Sequence, residues 1–291
     1  MTAPMTAGAG LSDTEFEKFR EYFYKRTGIQ FTSAKRYFVD KRIETCIRSS
    51  GYRNFAGWYA TLRVGDRTDL VQELINQLTV NETYFLREDY QFDALLSEVL
   101  PNVLAALGGP RRVDRPVKIL SLPCSTGEEP YSIALRLLEE WDQIDHVDVE
   151  IHGADIDSDV LDRAGRGIYG DRSLQRMPKP WLAKHFTRIG AGRYQLDDGV
   201  RGAITFHNVN VCDTPAMRAF ADFDVIFCRN VLIYFDELSS RRAAENLYGA
   251  LRPGGYLFLG HSESMSRISP IFNPIHLPEG FVYQRPTGAK R

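Results

Sequence analysis

The segment Val117–Asp157 constrains this chain more than any other. It begins V-K-I-L-S-L-P-C-S-T-G-E-E-P-Y-S-I-A-L-R-L-L-E-E-W and closes, after a polar connection, in V-E-I-H-G-A-D-I-D. Val117, Ile119, Leu120 and Leu122 form the short apolar run that a strand covered on both faces needs. Ser125-Thr126-Gly127 then turns the chain, and Pro130 suits the first helical position, where its missing N–H would be unpaired anyway. Ile133, Ala134, Leu137, Leu138 and Trp141 recur at helical spacing and predict the buried face of a helix. Asp155 and Asp157 end the second strand, where an α/β sheet opens its ligand crevice.

The loop chemistry narrows the ligand. G-x-G-x-x-G is absent, and Cys124–Glu129 offers one glycine where a close pyrophosphate approach wants three; a G-K-[ST] phosphate loop is absent as well. What remains is a loop flanked by Glu128 and Glu129, with Asp155 at the tip of the next strand. A carboxylate at that tip suits paired ribose hydroxyls, and acids beside the loop suit a cationic methionine-type head better than a phosphate. The pattern points to S-adenosylmethionine instead of NAD or ATP. Taken by themselves, Glu128 and Glu129 could equally serve as helix N-terminal charges, worth about 0.3–1 kcal/mol.

Before this segment the chain reads as helical. Residues 1–10 have the character of a disordered tail. Ser12-Asp13-Thr14-Glu15 is a capping-box pattern opening a helix with an apolar face of Phe16, Phe19, Tyr22 and Phe23, and Gly28 stops it. Helices follow over about Ser33–Ser50, Asn54–Arg63 and Thr68–Leu78. The second carries Lys35, Arg36, Lys41, Arg42 and Arg48 against Asp40 and Glu44. Thr79–Thr83 breaks the pattern, a further helix spans about Arg87–Leu107, and Gly108–Pro116 reads as a hinge or surface loop. The predicted domains are a helical one over 11–80, a linker and leading helix over 81–116, and an α/β domain over 117–285, with a short tail at 286–291.

After the first half-sheet, turn signals at Gly190-Ala191-Gly192 and Asp197-Asp198-Gly199 bracket Tyr194 and Leu196, predicting a small antiparallel β insert at about 181–206. Strands follow at Ala203–Val211, Phe223–Phe227 and Tyr256–Gly260, with a helix over Glu237–Leu251 and a closing hairpin using Ile271–Phe272 and Phe281–Tyr283. Alternating strands and helices imply a parallel sheet. A net charge of −2 excludes a global pull toward nucleic acid or anionic lipid. The four separated cysteines and six scattered histidines give neither a disulfide framework nor a metal-ligand spacing. No apolar run reaches membrane-spanning length and no signal-peptide core is present, so a cytoplasmic protein without membrane insertion is expected.

Five motifs in fixed order, N-E-T-Y-F-L-R-E, S-T-G-E-E-P-Y-S, A-D-I-D, F-D-V-I-F-C-R-N-V-L-I-Y-F and G-H-S-E, resemble the CheR-type chemotaxis receptor methyltransferases, from Leu11 to Gln284. The resemblance implies a class I S-adenosylmethionine-dependent, Rossmann-like α/β methyltransferase with a small all-α N-terminal domain and a three-stranded β insert. It implies transfer of methyl to glutamate carboxylates on cytoplasmic chemoreceptor helices, leaving S-adenosylhomocysteine. Carried over by position, Asn81, Thr83 and Arg87 fall on the family's linker motif over the cofactor. Glu128 or Glu129 meets the methionine end, Asp155 the ribose, and Asn210 with Val211 the adenine, while Arg229 and Asn230 line the site. Arg87 and Tyr234 match the pair beside the transferred methyl. The basic helix face (Lys35, Arg36, Lys41, Arg42, Arg48) would steer acidic receptor helices, and the compact segment Phe186–Phe206 implies independence of a receptor C-terminal tail peptide. Two other functions use the same fold: a nucleic-acid methyltransferase, opposed by Arg229–Leu232 where a D/N-P-P-Y/F tetrad would stand, and a non-catalytic adaptor, opposed by the intact Arg87, Asp155 and Tyr234.

Overall fold

The computed structural model describes residues 10–64, 67–110, 114–278 and 280–288. The tail expected over residues 1–10 lies, apart from Gly10, outside the described residues, as do 111–113 of the predicted hinge and 289–291 of the closing tail. The chain divides into two units, one comprising the chain through Val80 with Tyr234–Ser239, the other Asn81–Ile233 with Ser240–Arg291.

In the helical unit, Ser12 and Glu15 close the capping box that starts helix α1 (Asp13–Thr27): the Glu15 amide donates to Ser12 Oγ at 3.3 Å and the Ser12 amide to Glu15 Oε2 at 2.9 Å. Gly28 ends it with φ of 79°, which only glycine adopts freely. Phe16, Phe19 and Phe23 face inward, each contributing about 1.5–3 kcal/mol by leaving water, while Tyr22 is half-buried and donates to the Leu62 carbonyl at 3.0 Å. A short 3₁₀ turn (Ser33–Lys35) precedes α2 (Arg36–Ser49), which buries Val39, Ile43, Cys46 and Ile47. Helices α3 (Phe55–Val64) and α4 (Thr68–Leu78) supply Trp58, Leu62, Leu70, Leu74 and Leu78 to the same core. The segment Tyr234–Ser239 joins this unit through an antiparallel bridge of Phe235 to Ile29 and a 2.8 Å bond from Tyr24 Oη to Asp236.

The larger unit holds a mixed seven-stranded sheet of β1 (Val117–Ser121), β2 (Val149–Asp155), β6 (Ile204–Asn208), β7 (Phe223–Cys228), β8 (Leu251–Leu259), β9 (Asn273–Leu277) and β10 (Gly280–Gln284). Its order is β6-β2-β1-β7-β8-β10-β9, parallel except for the antiparallel β8-β10-β9 edge. Strand β1 is central, which explains its near-continuous apolar run. Chain order reverses between β1 and β7, and a doubly wound sheet opens its crevice at such a reversal, beyond the carboxyl ends. Helix α7 (Glu128–Glu140) covers β1 and β2. Leu138, predicted on its buried face, is exposed: Pro130–Leu137 are buried on every side, and the helix emerges into solvent from Leu138, with Glu140 also exposed.

A three-stranded antiparallel sheet forms the insert, in order β3-β5-β4, from β3 (Ile168–Gly170), β4 (Phe186–Gly190) and β5 (Arg193–Leu196). Its first strand lies upstream of the 181–206 segment, because β3 is too short to show alternation and is defined by its pairing with Arg193–Gln195. The stretch read as irregular around Met177–Arg201 contains a helix at Lys179–His185 and a helical turn at Asp198–Gly202. The helix predicted from Arg87 begins as α5 (Tyr90–Ala94), passes through a π-turn at Leu95–Val99, and ends as α6 (Leu100–Ala106). Cys46, Cys124, Cys212 and Cys228 are free and buried, behaving as small apolar groups. Among the described residues no helix is long and apolar enough to cross a membrane, and no cluster of three metal-ligating side chains occurs.

Candidate active site

The loop after β1 is held from both sides. The Leu122 amide donates to the Phe227 carbonyl on β7 at 2.9 Å, and the Cys124 amide to the Ala154 carbonyl on β2 at 2.8 Å. Ser125 adopts φ of 48° and Gly127 φ of 93°; a Cβ at Gly127 would stand 2.9 Å from both Ala164 and the Tyr131 ring. Here glycine is required on two counts, backbone and space.

Asp155, at the tip of β2, is 3% exposed and accepts from the Ser125 amide at 2.8 Å and the Asp157 amide at 3.0 Å. Burial pushes its carboxyl up to about 6, against the pull of those amides. Asp157 caps helix α8 (Ser158–Arg166) and accepts from Asn81 Nδ2 at 2.7 Å, while the Asn81 carbonyl accepts from Ser125 Oγ at 3.3 Å. Asn81 is thus tied to the first loop and to the β2 tip, with half-buried Thr83 next in its segment. Asn210 accepts from the Cys212 amide at 2.9 Å, and its neighbour Val209 donates to the Asp155 carbonyl at 2.9 Å. Val211 is buried and accepts from Asn246 Nδ2 at 2.7 Å. The Asn210–Val211 corner therefore stands beside Asp155.

The two loop acids have different surroundings. Glu128 is 2% exposed and capped by hydroxyls, Thr126 Oγ1 at 2.5 Å and Ser173 Oγ at 2.8 Å. Glu129 is less enclosed; it accepts from Ser121 Oγ at 2.7 Å and pairs with Arg229 at 2.9 Å. Burial raises the carboxyl of each above its ordinary range, opposed by the hydroxyls at Glu128 and chiefly by Arg229 at Glu129.

Arg229 extends β7 and is almost fully buried; it also pairs with Glu88 at 3.2 Å and donates to the Arg87 carbonyl at 2.6 Å. Its guanidinium faces Glu88, Glu129 and the Arg87 carbonyl, and so anchors the backbone at Arg87. Leu86 and Glu88, flanking Arg87, both have φ of 57°, and the Leu86 amide is held by Ser132 Oγ at 2.9 Å. The half-buried Arg87 side chain donates to the Glu82 carbonyl at 3.0 Å and lies over the Tyr84 ring at 5.9 Å. Asn230 has φ of 60°, and its amide donates to Glu263 at 2.8 Å. Glu263 also accepts from the amides of Leu232 at 2.7 Å and Gly260 at 2.8 Å, joining the tips of β7 and β8. Glu263 lies in the G-H-S-E run, whose spacing gives no sign of this work, and the Arg229–Glu129–Glu88 cluster leaves no signal in the sequence because its residues meet only in space. Tyr234 belongs to the helical unit, where its carbonyl accepts from the Gln30 amide at 3.1 Å.

The family model of the CheR methyltransferase SAM-binding domain matches residues 81–281, and that of the CheR all-alpha domain matches residues 14–79. The chain belongs to the CheR methyltransferase family. It is 45% identical over 280 residues to chemotaxis protein methyltransferase 2 of Vibrio cholerae, covering 96% of each chain. It is 35% identical to chemotaxis protein methyltransferase 2 of Pseudomonas aeruginosa over 90% of each chain, and 31% identical to methyltransferase 1 of that organism over 94% of this chain and 98% of the relative. As a CheR methyltransferase it uses S-adenosylmethionine, and the crevice fits that cationic nucleoside. Glu88 and Glu129 share the Arg229 guanidinium, and the buried Asp155 stands at the neighbouring strand tip, so the crevice offers carboxylates to hydroxyls and to an ammonium group.

Proposed function

We propose that this enzyme transfers methyl to glutamate side chains on the cytoplasmic helices of chemoreceptors, giving glutamyl methyl esters. The observation that carries this reading is Arg87, fixed at its backbone by Arg229 while its guanidinium keeps donors for an incoming anion. A glutamate has a pKa of about 4.3, so at neutral pH the nucleophile is already ionised and the protein need supply no general base. Its work is placement, worth as much as about 7–11 kcal/mol when the reacting groups are aligned. S-adenosylmethionine bound in the crevice supplies a sulfonium methyl as electrophile. Asp155 would take the ribose hydroxyls, Glu129, the less enclosed loop acid, the methionyl ammonium, and the Asn210–Val211 corner the adenine. Arg87 would hold the substrate carboxylate by charge-assisted bonds. Product release follows from charge: a methyl ester no longer attracts arginine.

The exposed Lys35, Lys41, Arg42 and Arg48 of the helical unit support steering of acidic receptor helices; Arg48 pairs with Glu44 at 2.9 Å. Arg36 is engaged internally, with Asp13 and the Leu11 carbonyl and over the Phe16 ring, and serves the fold more than the surface. The tight Gly190-Ala191-Gly192 connection between β4 and β5 supports action independent of a receptor tail. Tritiated methyl transfer to receptor cytoplasmic fragments, with and without their C-terminal tails, tests the reading. Equal yields of base-labile methyl ester are expected; absence of such ester with either fragment refutes it.

A further inference from the structure

We propose that the β insert clamps the cofactor loop, with Tyr169 on β3 and Ser173 just beyond it as positioning residues for Thr126-Gly127-Glu128. Three contacts converge on that loop from the insert. Tyr169 Oη donates to the Thr126 carbonyl at 2.8 Å, Ser173 Oγ donates to Glu128 Oε1 at 2.8 Å, and the Tyr169 hydroxyl packs over Gly127, 3.1 Å from where a Cβ would stand. The same surface grips the Arg87 segment. The Phe85 amide donates to the Ser173 carbonyl at 3.0 Å, and the Phe85 ring packs edge-on against Tyr169 at 4.8 Å and Phe186 at 5.6 Å.

None of these groups is idle surface: Phe85 and Tyr169 are buried, and Glu128 has both carboxylate oxygens capped by hydroxyls, one of them from the insert. Ser125, immediately before the clamped residues, presents its amide to Asp155, so a loop that relaxes at Thr126 also releases the ribose-side carboxylate. The insert thereby holds two strands of the site, the loop and the Arg87 segment, in one register. This rests on the loop being the cofactor's seat.

The test uses Tyr169→Phe, which keeps the ring and removes the hydroxyl, and Ser173→Ala, each compared with Ser173→Thr as a conservative variant. Calorimetry with S-adenosylhomocysteine should show affinity weakened about three- to tenfold in each of the first two, the range of one lost hydrogen bond, with Ser173→Thr closer to the parent. KM for S-adenosylmethionine should rise in step while kcat stays within about twofold. Hydrogen exchange should quicken at the loop amides without quickening in β1. Unchanged affinity and loop exchange in both variants overturn the proposal. A parent enzyme that fails to bind S-adenosylhomocysteine at all sinks the cofactor assignment instead. If Tyr169→Phe melts at a much lower temperature, Ser173→Ala alone decides.

Discussion

Asp155 is a buried carboxylate that the fold would do better without, and replacing it separates stability from function. Its carboxyl sits at about 6 because burial disfavours the charge. In the unfolded chain the same group has a pKa of about 3.9. Between those values the unfolded state is ionised while the folded state still holds its proton, so stability falls as pH rises through the window and is flat above it. The gap corresponds to about 3 kcal/mol at pH 8 and about half that at pH 5. Asp155→Asn removes the charge but leaves one of the Ser125 and Asp157 amides facing an NH2 group, returning about 1–2 kcal/mol of the gain. The variant should therefore be about 1–2 kcal/mol more stable than the parent at pH 8 in urea unfolding without cofactor. That advantage should shrink by about 1.5 kcal/mol at pH 5, since other titrations cancel in the difference. Affinity for S-adenosylhomocysteine should drop more than tenfold. A stability difference independent of pH, or one growing toward acid, refutes the reasoning.

Arg229→Met should destabilise by about 3–5 kcal/mol in urea unfolding, since it leaves the mostly enclosed Glu88 and Glu129 without their buried cation, and adding Glu129→Gln should recover part of the loss. Loss of Arg229 raises the Glu129 carboxyl further, so the defect should be larger at pH 8 than at pH 5; a pH-independent defect argues against the pairing. Arg87→Ala should reduce methyl transfer more than tenfold with S-adenosylhomocysteine affinity changed far less, and unchanged turnover would exclude Arg87 from the chemistry. Neutralising Lys35, Arg42 and Arg48 together should weaken receptor methylation and flatten its salt dependence while leaving cofactor affinity alone.

What could be read from the chain alone was local or strictly periodic. The Ser12–Glu15 box, the stop at Gly28 and helix α4 depend on residues a few positions apart, and each is where its pattern places it. Strand β1 announces itself because both its faces are covered. The β3 strand does not, since its partner lies some two dozen residues downstream and its own span is too short to alternate. The helix at Lys179–His185 is too short to show a periodic apolar face, although Pro178 at its cap and Pro180 in its first turn are compatible with a helix start. Within the site, residue types were legible but partnerships were not. Glu128 and Glu129 look alike in a string of letters; only folding delivers Ser173 to one and Arg229 to the other.

Backbone strain ties these partnerships together. Five non-glycine residues have left-handed φ among the described residues, and four of them, Leu86, Glu88, Ser125 and Asn230, border the crevice. Each such conformation costs about 1–2 kcal/mol and persists only where neighbours enforce it. The enforcers are side chains of the site itself. Ser132 holds the Leu86 amide, Arg229 the Glu88 carboxylate, Asp155 the Ser125 amide and Glu263 the Asn230 amide. Asp155 therefore has two effects through one carboxylate: it makes the crevice anionic and it pins the loop that closes it. Asp155→Asn removes the charge and keeps one of the two amide contacts, whereas truncation to alanine loses the charge and both contacts at once.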